Sequence, residues 1–177
     1  MNISEYDNTI DNAQFKTKVD NIFVMLFTSI MQGDISRCKH KISDNIYAKY
    51  ESIVNDLNAK NQRQMYDELN VSSTEIDDVK IEDGYIVVYV TLISKYMDYI
   101  VSKEDFTLIS GDNNNRIMKT NKLVLKKKTD AEGLKSARRC PGCGAPADVS
   151  NTGICEYCGA SFNTEKYDYI LDSIETY

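Results

Sequence analysis

Four cysteines near the end of the 177-residue chain carry its clearest chemistry: Cys140, Cys143, Cys155 and Cys158 form two Cys-x-x-Cys pairs separated by eleven residues. Thiolates at that spacing can close a tetrahedron around one zinc ion. Each pair is followed by a glycine, Gly144 or Gly159. There the backbone must curl tightly enough to aim its amides at the sulfurs, a turn that often needs positive φ. Pro141 stiffens the first turn, and Val149 and Ile154 flank a Ser-Asn-Thr-Gly turn signal that lets a short hairpin bring the second pair over the first. Four thiolate ligands leave no coordination position for water or substrate, so a zinc held here is structural, not a Lewis acid.

The stretch Cys140–Phe162 resembles the zinc ribbon family. Three other uses of these cysteines have to be weighed. Disulfides belong to oxidising compartments, and the chain opens Met-Asn-Ile-Ser-Glu-Tyr-Asp with no basic-then-apolar export signal. A rubredoxin-like iron site shares the ligands but separates its pairs by a longer stretch. A thioredoxin-type redox pair opens a helix after a strand, whereas both pairs here lie in glycine-rich turns. Zinc fits best, and about 20 residues around it need the metal to fold.

The remaining nucleophiles and titratable groups suggest no catalytic machinery. His40, the one histidine, stands between Lys39 and Lys41 with no assignable Ser, Cys or carboxylate partner, and Cys38 reads as a buried thiol. Net charge is −6 and pI about 4.9, which argues against whole-surface attraction to nucleic acid or anionic lipid. A local basic set, Lys126–Lys128, Lys135, Arg138 and Arg139, is the argument for a nucleic-acid reading; it lacks interleaved aromatic platforms and has Asp148 and Glu156 beside it. With 42% apolar and 27% charged residues the chain is globular. Its most apolar run, Ile22 to Met31, is too short to span a bilayer.

These residues must be positioned by the elements around them. Asp11 to Gln32 reads as a helix with a stripe of Phe15, Val19, Ile22, Phe23, Leu26, Phe27, Ile30 and Met31. Gly33 ends it, Ile35 to Ile42 follows as a short helix, and Asp44 caps another that runs to about Asn61. Val71, Ile76, Val79 and Ile81 belong to a strand that turns at Glu82-Asp83-Gly84. A central strand begins at Tyr85 and runs, bent, to Tyr99–Val101. Phe106 to Ser110 is a short strand, Gly-Asp-Asn-Asn-Asn a turn, and Arg116 to Lys128 the last long strand. Residues 129–139 read as a linker, and Tyr167, Ile170, Leu171, Ile174 and Tyr177 as an amphipathic helix that needs a surface to lie on, its own body or ribbon in the leading reading and a partner in the alternative. The expected fold class is α+β, N-terminal helices on a curved antiparallel sheet over 1–128, with a four-cysteine zinc ribbon at 140–162 and a tail at 163–177.

The order of elements also carries a family resemblance. Phe-x-x-Lys-Val-x-x-Ile-Phe, Asp-Ile-Ser-Arg, Lys-Tyr-x-x-Ile-Val-x-x-Leu, Tyr-Ile-Val-Val-Tyr-Val, Tyr-Met-Asp-Tyr-Ile-Val-Ser and an Ile-Ser-Gly-Asp turn follow one another between Phe15 and Lys128. Together they resemble bacterial relatives of the C-terminal domain of the forty-four-kilodalton subunit of the mitochondrial inner-membrane protein translocase, members of which often carry a C-terminal zinc ribbon. The resemblance implies a cone-shaped, nuclear-transport-factor-like fold and a non-enzymatic binding role for protein, lipid or another apolar ligand. It also implies an option of homodimers paired through their sheets. Cone-fold isomerases and dehydratases supply the rival reading, for which Tyr47, Tyr50, Tyr85, Tyr89 and Asp98 are the candidate groups. An intracellular, cytoplasmic adaptor with a protein partner is the leading expectation.

Overall fold

In the computed structural model, residues 1–129, 140, 143–146, 155–159 and 168–177 are described. Helix α1, Asn12–Gln32, starts at a capping box in which the Asp11 carboxylate accepts the Gln14 amide while the Gln14 side chain accepts the Asp11 amide. It stops at Gly33, whose φ of 74° continues no right-handed helix. Its stripe is buried as the periodicity requires, from Phe15 to Ile30, with Phe23 stacked on Phe27 at 4.2 Å. A 3₁₀ segment, Ser36–Lys41, stands where a short α-helix was expected. Helix α2, Asp44–Ala59, is capped by Ser43 and not by Asp44, which takes the first-turn acidic position.

Strands β1 (Gln62–Glu82), β2 (Tyr85–Ser102), β3 (Leu108–Lys128) and β4 (Ile170–Thr176) form one antiparallel sheet in the order β1-β2-β3-β4. Asp83 and Gly84, with φ of 51° and 79°, make the two-residue turn between β1 and β2, a geometry that matches the twist of the strands it joins. Bulges bend the sheet: β1 slips against β2 at Asp67/Asn70, Val71/Ser73 and Ile76/Asp78. The helices cover one face, where Ile86, Val88, Val90, Leu92, Leu123 and Leu125 meet the α1 stripe. Each such side chain contributes about 1.5–3 kcal/mol by leaving water.

Three expectations are corrected. Strand β1 begins nine residues before Val71, because its polar first half pairs register by register with β2 from Gln62↔Ser102 onward. The turn expected at Gly111–Asn115 is a bulge within β3: Asp98 pairs with Asp112 and Tyr96 with Ile117, and the Asp112 carboxylate accepts the amides of Asn114 and Asn115. The tail expected as a helix is β4, an edge strand paired with β3 through Leu123↔Ile174 and Leu125↔Leu171. A seven-residue helix is marginal in water, whereas a strand finds its hydrogen bonds on the open β3 edge.

β4 follows the cysteines in sequence but belongs to the sheet that precedes them. Its return is fixed by buried charge. Asp168, 5% exposed, accepts Lys18 of α1 at 2.5 Å and Lys41 at 3.0 Å. Tyr169, 1% exposed, meets the Phe15 ring edge-on at 5.0 Å and donates its hydroxyl to Asp7, which also pairs with Lys127 at 2.7 Å.

Candidate metal centre

Both cysteine pairs form the same local turn. Gly144 N–H donates to Cys140 C=O and Gly159 N–H to Cys155 C=O, each at 2.8 Å, and both glycines have φ of 71°. That positive φ, which glycine adopts at least cost, is why each pair ends in Gly. Cys140 N–H donates back to Ala145 C=O at 2.8 Å, closing the first turn. Pro141 and the Val149–Ile154 hairpin lie outside the described residues, as do the linker from residue 130 to 139 and Lys135, Arg138 and Arg139.

The four Sγ atoms lie within 4.8 Å of one another, with Cys140 to Cys158 at 3.6 Å and Cys143 to Cys155 at 3.7 Å. A disulfide needs about 2.05 Å, so neither of these pairs is one. A tetrahedron with metal–sulfur bonds of about 2.3 Å has edges of about 3.8 Å, close to both separations. The cluster therefore fits a single ion, with Cys140 and Cys155 buried and Cys143 and Cys158 at the surface.

Other sequence candidates are dispersed. Cys38 is fully buried, and its thiol donates to Ile35 C=O at 3.0 Å; burial pushes its pKa up to about 11. His40 lies half-buried in the 3₁₀ segment, where burial and then the Lys41 charge hold its imidazole below the ordinary value. Tyr85 and Tyr89 alternate with the core-facing Ile86, Val88 and Val90, so they lie on the sheet face away from the helices, beneath Lys128 and Lys80. Tyr50 and Asp98 are on the helix-covered side with Tyr66 and Tyr96, two residues that sequence reading passed over. The pairing of Tyr66 with Asp98 across β1 and β2 becomes visible only with the register. Of the basic run, Lys126 is bound to Asp172 at 2.7 Å and Lys127 to Asp7, so among the described residues two of its charges are already paired within the fold.

Helices laid on a bent antiparallel sheet, joined to a four-cysteine cluster suited to a metal ion, define an α+β cone-type domain with a small metal module. The Tim44-like domain model matches residues 1–134, and the chain belongs to that family. No curated protein matches it. The matched segment ends before β4, although β4 completes the same sheet. Among the described residues no helix is long and apolar enough to cross a membrane.

Proposed function

We propose that this chain is a non-enzymatic, transport-related adaptor of the cytoplasm in which Cys140, Cys143, Cys155 and Cys158 hold one structural zinc ion. The observation that carries the reading is the placement of the cluster. It falls in sequence between β3 and β4 of a Tim44-like body, two strands that pair with each other and so hold both ends of the intervening stretch. Thr129 N–H and Oγ1 donate to Gly84 C=O on departure, and Asp168 and Tyr169 hold the return. The folding body is then 1–129 together with 168–177, and the module is an insertion in it.

Zinc, once bound, supplies folding energy and no reaction centre, because the four thiolates satisfy its tetrahedral preference. Thiol ligands persist in a reducing compartment, which supports the cytoplasmic assignment. The test is native mass spectrometry of the purified chain, followed by capture of partners with wild type and Cys143→Ser. One zinc per chain and a partner lost with the variant are expected. Iron, no metal, or a disulfide-linked product would refute the metal reading, and an unchanged partner set would refute the module as the adaptor surface.

A further inference from the structure

Three tyrosines on three elements, Tyr50 of α2, Tyr66 of β1 and Tyr96 of β2, stand with Asp98 on the helix-covered side of the sheet. Tyr66 is the direct cross-strand partner of Asp98, and Tyr96 precedes Asp98 by two on the same strand, so the three share a face. The Tyr66 and Tyr96 rings meet edge-on at 5.3 Å, and Phe27 lies 4.6 and 5.7 Å from them, an aromatic wall beside one carboxylate.

Two features of this group are unusual for a core. None of the three hydroxyls has a hydrogen-bond partner among the described residues, although Tyr96 is only 2% exposed and buried phenols almost always find one. Arg63 Nε is the one buried side-chain atom found both sealed and unpartnered among the described residues, so each of the three phenol oxygens retains some contact with solvent. Asp98 forms no ion pair among the described residues either. Its Oδ1 accepts the Gln64 amide at 2.8 Å, and its register partner on β3 is another carboxylate, Asp112. Burial first, and then the nearby Asp98, push the Tyr66 and Tyr96 hydroxyls up, Tyr96 to about 12, so both stay neutral beside that carboxylate.

We propose that Tyr50, Tyr66, Tyr96 and Asp98 form a binding site for an organic ammonium group on an apolar stem. The carboxylate supplies the countercharge, the phenol oxygens accept N–H bonds, and the π-faces favour a cation over an anion or a neutral oxygen. The same chemistry is presented by a small alkylamine and by a lysine side chain of a peptide. It does not depend on the metal module.

The test is calorimetric titration of the full, metal-loaded chain with hexylammonium, hexanol, hexanoate and N-acetyl-lysine methylamide at low salt. Hexylammonium is expected to saturate one site, with hexanol weaker and hexanoate silent. Asp98→Asn is expected to weaken binding about tenfold or more and Tyr96→Phe roughly two- to tenfold, the worth of a charge-assisted and an ordinary hydrogen bond. Both variants preserve side-chain volume, and an unchanged near-ultraviolet circular dichroism spectrum verifies their folds. Comparable binding of the lysine amide assigns the site to peptide side chains; binding of hexylammonium alone assigns it to small amines. Equal binding of hexanol or hexanoate, no saturable heat with any probe, or unchanged affinity in Asp98→Asn would overturn the proposal.

Discussion

Replacing Asp168 by asparagine isolates the interaction that returns the chain to the sheet after the cysteine module. The carboxylate lies between Lys18 and Lys41, whose side chains are 23% and 16% exposed. Removing one partner of a fully buried ion pair costs about 3–5 kcal/mol, because the other charge is stranded. Both lysines here can swing their ammonium groups toward water, and asparagine keeps an oxygen for the Tyr169 amide that Asp168 Oδ1 accepts at 2.8 Å. The expected loss is therefore at the lower end, about 3 kcal/mol. Lys18→Met, which leaves Lys41 in place, should lose about 1 kcal/mol. Urea unfolding followed by circular dichroism measures both, and hydrogen exchange of the β4 amides shows whether the strand opens first. The pH dependence supplies a second check. Burial, the largest influence, pushes the Asp168 carboxyl up, but Lys41 and Lys18 outweigh it and hold the group below its ordinary value. A carboxyl depressed in the folded state stabilises fully above the unfolded value, about 3.9, and loses that contribution as pH falls through the folded value. The gap between wild type and Asp168→Asn should thus be flat from neutral pH down to about 5 and narrow below about 4. A loss under about 1 kcal/mol at pH 7, or a gap indifferent to acid, would refute the assignment of the clasp.

Further outcomes can be measured on the same protein. Chelation of the metal should leave the four-stranded body folded, with its unfolding free energy in urea lowered by less than about 1 kcal/mol, while amides around Cys140–Cys143 and Cys155–Cys158 lose protection. Gly111→Ala should destabilise by about 2–4 kcal/mol, since φ is 87° and a Cβ would stand 2.3 Å from Asp98 C=O; thermal melting reads the change. Cys38, with its thiol pushed up to about 11 by burial, should resist iodoacetamide at pH 7 until the chain unfolds, as intact-mass measurement of native and urea-treated samples would show.

What the sequence disclosed follows from how local the determinants are. The α1 stripe, the Asp83-Gly84 turn and the two cysteine knuckles are each encoded within a few residues, by periodicity, by positive φ or by ligand spacing. The first half of β1 is a strand because β2 offers it hydrogen bonds, not because Gln62, Arg63, Gln64, Asp67 and Glu68 favour one. Ile170, Leu171 and Ile174 fit a helical step as well as a strand, and the deciding partner, Leu123 to Leu125 on β3, lies more than 40 residues away in sequence. The ammonium site was half legible. Tyr50 and Asp98 were among the five candidate groups of the rival cone-fold enzyme reading, but Tyr66 and Tyr96 joined them only through strand register.

An insertion between two paired strands is physically cheap, which explains how the cysteine-bearing stretch can fall between β3 and β4 in sequence without breaking their pairing. Spanning β3 to β4 with roughly 40 residues in place of a turn of about five adds about 2 kcal/mol of closure entropy. Tying the loop at the cysteines halves its effective length and returns only about 0.6 kcal/mol of that, so the metal cannot be what seats β4. The seat has to come from the return point, where Asp168 and Tyr169 engage Lys18, Lys41, Asp7 and Phe15 on three separate parts of the body. Metal module and last strand are thus held by different interactions, and a perturbation of one should leave the other standing.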